Sequence, residues 1–242
     1  MTKRLLPVAV LALLSGLSAG LSPLAAAAPP VDVELVFAVD ASDSMEDWEW
    51  RLEMSGIAAA FRSKSVRQVI ASLPHHQVAV ALVVWADTGQ RADVSDWTLV
   101  DGAATADDFA ALAEAWPRRV GGGTGMGEGI AAAVRLIERA PFTAGRRIID
   151  VSGDGPEPLP LLSEAIVLMP QARAMAERAH VTVNGLAILK DRPDLFDWYQ
   201  DYVATGPGAF VMRIKDARDF APAFEQKVLR ELQLNVAQLG AP

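Results

Sequence analysis

The chain has 242 residues, 51% of them hydrophobic, no cysteine and a formal net charge of −8. The acidic balance excludes nucleic acid as a natural partner, because phosphate recognition needs a basic surface. Without cysteine there can be neither disulfides nor the lipidated cysteine that tethers bacterial envelope proteins, so stability must come from a packed core.

In chain order, charge at Lys3 and Arg4, a weakly polar run from Leu5 to Leu24 and the block Ala25 to Ala28 form the layout of a secretory signal peptide cleaved near Ala27 or Ala28. Pro7, Gly16, Gly20 and Pro23 interrupt the run, which disfavours a membrane anchor. No other segment approaches the ~20 unbroken apolar residues of a spanning helix. We therefore expect a signal peptide at 1–28 and one domain at 29–242, secreted or periplasmic, with no membrane span after cleavage. Cleavage removes two cations and no acid, moving the net charge from −8 to −10 over 214 residues.

Val33 to Val39 is a mostly apolar run ending at Asp40, the pattern of a strand buried on both faces. Trp50, Met54, Ile57 and Phe61 then mark one face of a long helix beginning near Glu46. Gln77 to Ala86 reads as a second buried strand and Trp97 to Val100 as a short edge strand. A helix is expected from Thr105 to Trp116, stopped by Pro117. The cluster Gly121 to Gly125, with Thr124 inside it, leads into a helix over Met126 to Ala140.

Arg146 to Ser152 is a third central strand, followed by the turn Gly153-Asp154-Gly155-Pro156-Glu157. A helix over 161–179, a strand over Val181 to Leu189, a helix over Asp194 to Tyr202, a turn at Gly206 to Gly208, a strand over Ala209 to Ile214 and a helix over 217–234 complete the pattern. This alternation predicts an α/β fold: a doubly wound, mostly parallel central sheet flanked by helices, with ligands at the carboxyl ends of the strands.

Three loops at the carboxyl ends of predicted strands or at helix starts carry oxygen-bearing side chains: Asp40, Ser42 and Ser44 in the first, Thr124 in the second and Asp154 in the third. Alternate residues 40, 42 and 44 can point into one cavity. Hydroxyls and carboxylates are hard ligands, suited to magnesium, calcium or manganese rather than zinc or copper. A cation held largely by neutral hydroxyls stays under-neutralised and accepts an anion from outside, such as a carboxylate of a protein partner.

With these residues the sequence resembles the von Willebrand factor A family, whose metal-ion-dependent adhesion site (MIDAS) combines Asp-x-Ser-x-Ser, a threonine and an aspartate from successive loops. Asp40, Ser42 and Ser44 match the first element, Thr124 the second and Asp154 the third, and the likeness covers residues 32 to 235. It is similar in particular to an uncharacterised group of secreted bacterial proteins of this fold, through Ile149 to Pro156 and Gly206 to Phe210. The resemblance implies a Rossmann-like fold and a divalent-cation-dependent binding module, not an enzyme, with magnesium as the cation and calcium or manganese as alternatives.

Asp43 departs from the family pattern, since glycine often fills that spacer. Glu46, Asp47, Glu49, Glu128 and Glu157 either add charge at the rim, favouring calcium, or are solvated helix starts. Asp150, within its strand, is read as a buried structural aspartate. Trp48 is either a binding-surface aromatic or packed against a neighbouring loop.

Two other functions compete. A haloacid dehalogenase-type magnesium-dependent phosphatase also places an aspartate after a strand and a Gly-Asp loop later, but it carries a second aspartate where Ser42 stands and needs a lysine before the Gly-Asp loop. No lysine lies between Lys64 and Lys190, which leaves Arg146 or Arg147 as substitutes. The other alternative is a structural interaction domain with a non-functional metal site. His75, His76 and His180 read as exposed loop residues and give no Ser-His-Asp triad.

Overall fold

A strand apolar at nearly every position can be stable only with helices on both of its faces. In the computed structural model, which describes residues 28–158, 167–190 and 192–233, the first strand has that environment: β1 (Pro30–Asp40) is buried from Val31 to Asp40. Strand β2 (Val78–Trp85) is buried throughout. The sheet is completed by β3 (Asp93–Val94), β4 (Thr98–Val100), β5 (Thr143–Gly153), β6 (Thr182–Ile188) and β7 (Val211–Ile214).

The strand order is β3-β2-β1-β5-β6-β7, with β4 also on β2. The five strands from β2 to β7 are joined by four pairings, all parallel, whereas β3 and β4 run antiparallel along the outer edge of β2. From β1 the chain moves first to β2 on one side and later to β5 on the other. The carboxyl ends of β1 and β5 therefore flank the topological switch point, where open α/β sheets place their ligands.

Alternation along β1 divides the core. Val33, Leu35, Phe37 and Val39 face α1 (Asp47–Arg62), α3 (Ala103–Ala115) and α7 (Phe220–Gln233). Val36 and Ala38 face α4 (Met126–Glu138) and α5 (Met169–Arg178). Phe37 anchors the first layer, with the rings of Phe61, Phe109 and Phe224 at 5.7, 5.9 and 5.2 Å. Trp50, Met54, Ile57 and Phe61, the predicted stripe of α1, are all buried.

Several boundaries differ from the sequence reading. Ser63 ends α1 and caps a separate α2 (Lys64–Ser72) by accepting from the Val66 N–H at 3.2 Å, a short helix anchored by Val66 and Ile70. The helix expected from Thr105 starts at Ala103. Thr105 lies in its first turn, and its hydroxyl accepts from the N–H groups of Asp101 and Gly102 at 3.0 and 3.1 Å.

Of the helix expected over 161–179, residues 161–166 lie outside the described residues and the helix begins at Met169, beside Pro170. The helix expected over Asp194 to Tyr202 is a short α6 (Leu195–Trp198) continued by a π-helical turn, Tyr199–Val203. The last predicted helix opens with a 3-10 turn at Ala217–Asp219 before α7. Residue 234 and the signal segment 1–27 also lie outside the described residues. Among the described residues no helix is long and apolar enough to cross a membrane.

Candidate metal centre

The loop leaving β1 turns back on itself because Asp40 Oδ1 accepts the Ser42 N–H at 2.8 Å. The turn brings Ser42 Oγ to 3.0 Å from Ser44 Oγ, and Ser44 Oγ donates to Asp154 Oδ1 at 2.6 Å. Asp40, Ser42, Ser44 and Asp154 thus form one chain of polar contacts joining the ends of β1 and β5. Thr124 faces the same space from the second loop: with Ser44, Asp154, Gly155, Lys190 and Arg192 it lines an open cleft of ≈ 560 Å³. Asp40 does not line the cleft. It is 0% exposed, sealed behind the serines.

Two further contacts fix the first two loops to each other. Asp43 accepts the Gly122 N–H at 2.8 Å through Oδ1, and its own N–H donates to the Gly122 carbonyl at 2.8 Å. The acid in the usual glycine spacer is therefore a bracket between loops. Arg118 donates to the carbonyls of Ala41 and Ser42 at 3.1 and 2.7 Å and to Asp47 at 3.1 Å. Gly125 lies so close to the exit of β2 that a Cβ would stand 2.7 Å from the Thr88 nitrogen and 2.8 Å from the Asp87 carbonyl carbon.

The rim acids are likewise occupied. Glu157 accepts from the N–H groups of Gly127 and Met169, each at 2.8 Å, and Glu128 accepts from the Val167 N–H at 2.9 Å. Glu49 accepts the Glu46 N–H at 2.8 Å at the start of α1. Trp48 is half-buried, donates to Glu46 at 2.6 Å and has Arg218 over its ring at 5.4 Å, in keeping with the packed reading of this side chain.

Lys190, in the left-handed backbone region at φ 42°, is the main participant that sequence reasoning missed. Its ammonium lies 2.5 Å from Asp154 Oδ2, 2.7 Å from Glu49 Oε2 and 2.8 Å from the Ser44 carbonyl oxygen. Burial lowers its pKa, but the hydrogen bonds to Asp154 and Glu49 more than offset this and the net shift is upward. The only available signal was its position, just past the predicted end of a central strand.

Beneath the serines lies a buried polar layer. Asp40 Oδ2, Glu53 Oε1 and the Tyr199 hydroxyl are buried with no hydrogen-bond partner among the described residues. Gly153 makes room for it, since a Cβ there would stand 2.8 Å from Asp40 Oδ2 and 2.9 Å from the Tyr199 hydroxyl. Burial pushes Asp40 up from 3.8 to about 7, against the hydrogen bonds from Ser42, and pushes Glu53 well above the ordinary carboxylate range. Burial also raises the Tyr199 phenol. Such a layer favours positive charge nearby.

The donor chemistry fits a hard divalent cation: the Ser44 hydroxyl and Thr124 at a cleft, the buried Ser42 hydroxyl next to Ser44, one carboxylate beside them and a second, incompletely bonded carboxylate behind. Among the described residues no group of three or more His, Asp or Glu side chains is placed to hold a metal, so any cation here depends on the hydroxyls. Asp150 belongs to a different layer, 2.5 Å from the Lys227 ammonium in the core. The three histidines are exposed and lie at the opposite end of the strands.

The strand order and the switch point give the chain a von Willebrand factor A-type fold. The pilus adhesin SpaC of Lactobacillus rhamnosus GG matches with a TM-score of 0.60 at 15% identity, over 84% of this chain and 30% of that one. Proximal thread matrix protein 1 from the mussel byssus, in a structure with zinc in its MIDAS motif, gives 0.56 at 13% identity, over 83% and 47%. The vWF domain of the type V pili tip protein Mfa5 from Porphyromonas gingivalis gives 0.50 at 13% identity, over 86% and 96%.

At these identities the likeness is one of fold, and the chain spans 30% of the adhesin and 47% of the byssus protein. The family described as a protein of unknown function, DUF1194, matches residues 30–236, and the chain belongs to it. Comparison with curated protein sequences gives no match.

Proposed function

We propose that residues 29–242, released from a signal peptide at 1–28, form a secreted or periplasmic binding module that engages a protein partner through a divalent cation. Asp40, Ser42, Ser44, Thr124 and Asp154 hold that cation, directly or through water. Magnesium is the first candidate and calcium or manganese the alternatives. The observation that carries this reading is the polar chain from Asp40 through Ser42 and Ser44 to Asp154, ending at an open cleft and backed by a buried carboxylate oxygen that lacks a partner among the described residues. Pilus and byssus proteins of the same fold support a role in binding.

The bound cation supplies a positive centre that the hydroxyls do not neutralise, and a partner carboxylate completes its coordination. Phosphoryl transfer fits less well. Lys190 does bring an ammonium to Asp154, but from after the Gly-Asp loop. Moreover Asp40, the aspartate that would attack, is fully enclosed, with one oxygen committed to the Ser42 N–H.

The test is a titration with Mg²⁺ or Mn²⁺ followed by calorimetry and melting temperature, in the wild type and in Ser42→Ala/Ser44→Ala. The wild type is expected to gain about 2.7 kcal/mol at a hundredfold excess of metal over Kd, and the double variant to gain nothing while remaining folded. No heat and no shift in the wild type at millimolar metal would leave only the interaction domain with a lapsed site. Capture from an envelope extract, with metal and with chelator in parallel, then reads partner binding.

A further inference from the structure

Three oxygens, from Asp154, Glu49 and the Ser44 carbonyl, surround the Lys190 ammonium at 2.5 to 2.8 Å. The carboxylates are nearly sealed, with side chains 1% and 5% exposed, whereas the lysine is 24% exposed. Both oxygens of Asp154 are engaged as a result, one by the Ser44 hydroxyl and the other by Lys190. Two of the three loops that meet at the cleft are tied to a single side chain.

From this we infer that Lys190 is a tethered cation that competes with the divalent metal and couples metal entry to anion capture at the cleft mouth. The inference rests on the metal reading of the centre. A divalent ion among the serine and threonine hydroxyls lies close to the ammonium, and two positive charges at that separation repel strongly. Metal entry also draws on Asp154, the lysine's shortest contact. The two cations therefore exclude each other, and metal affinity is reduced by the population in which the ammonium is bound.

The backbone of Lys190 is anchored, its N–H donating to the Lys215 carbonyl at 2.8 Å, so displacement moves the four-carbon side chain alone. Its exit is the cleft it already lines, beside Arg192. There the released ammonium adds a second positive group for an anionic side chain of the protein partner. Metal and partner carboxylate are thereby linked through one residue.

The experiment titrates Mn²⁺ alone, by calorimetry, into the wild type, Lys190→Met and Arg192→Met. Lys190→Met is expected to bind about tenfold more tightly, while Arg192→Met, which removes the same charge without touching Asp154, stays within about twofold. In parallel, wild-type Lys190 is labelled with an amine-reactive ester and quantified by mass spectrometry; its reactivity is expected to rise when Mn²⁺ is added.

Equal affinities in wild type and Lys190→Met overturn the inference and leave the metal centre standing. Weaker binding in Lys190→Met overturns it also and makes the lysine part of the metal's support. No heat in either folded protein removes the metal centre and the competition together. If Lys190→Met does not fold, the labelling decides: unchanged reactivity on metal addition overturns the inference.

Discussion

Two lysines in this molecule are each clasped by two carboxylates, and their surroundings are opposite. Lys227, on α7, lies 2.5 Å from Asp150 and 2.9 Å from Glu231, with all three side chains at most 1% exposed. Asn184 donates to Glu231 at 2.8 Å and accepts the Phe210 N–H at 3.1 Å, which closes the group off between β5, β6 and α7. Lys190 has a similar pair of acids but sits at a strand end beside an open cleft. The same charge pattern is enclosed in the core in one case and open to the cleft in the other.

The largest expected effect tests the sealed member. Lys227→Ala leaves two buried carboxylates without their counter-charge and is expected to cost about 3–5 kcal/mol, read as a lower midpoint in chemical denaturation. Without metal, Lys190→Met is expected to cost less, because its open cleft admits water and salt. If the two variants lose equal stability, the distinction between a sealed and an exchangeable lysine fails.

Glu34 sharpens the contrast as a buried carboxylate with no lysine at all. Its side chain is 0% exposed, Arg147 approaches only to 3.5 Å, and neither oxygen has a hydrogen-bond partner among the described residues. Burial pushes its pKa from 4.5 to about 7, with Arg147 pulling it back. The folded state therefore holds this proton more tightly than the unfolded state does. Its contribution is present in full below about 4.5 and is lost as the pH rises through about 7. In Glu34→Gln the fall in melting temperature across that window should be smaller than in the wild type; parallel curves would show that Glu34 does not titrate there.

The smallest effect concerns the loop bracket. Asp43→Ala removes the acceptor of the Gly122 N–H and is expected to cost about 0.5–1.5 kcal/mol, seen as a modest drop in melting temperature with the fold retained.

What the sequence disclosed follows from how local each signal is. The runs at Val33 to Val39 and Gln77 to Ala86 contain the pattern of a doubly covered strand, so the central sheet was readable. That Asp40, Ser42, Ser44, Thr124 and Asp154 gather at one end of the sheet was readable because each lies where a strand ends or a helix begins. Lys190 and Arg118 were not. Each acts through contacts with residues 36 to 146 positions away, which no periodicity encodes. The break at Ser63 was hidden because Lys64 to Ser72 continues with helix-compatible residues after one capped turn. The two-residue β3 is too short for alternation to mark it.

The bracket at Asp43 and the clamp at Arg118 bear finally on ionic radius. They cross-link the serine loop to the threonine loop, so on the proposed reading an entering ion would meet oxygens carried on tied loops. Magnesium needs ligands at about 2.0–2.1 Å and calcium at about 2.3–2.6 Å, a difference that flexible loops absorb and stapled ones do not. On the proposed reading, the spacing tied by those two side chains joins the charges around the rim in setting which ion the centre would take.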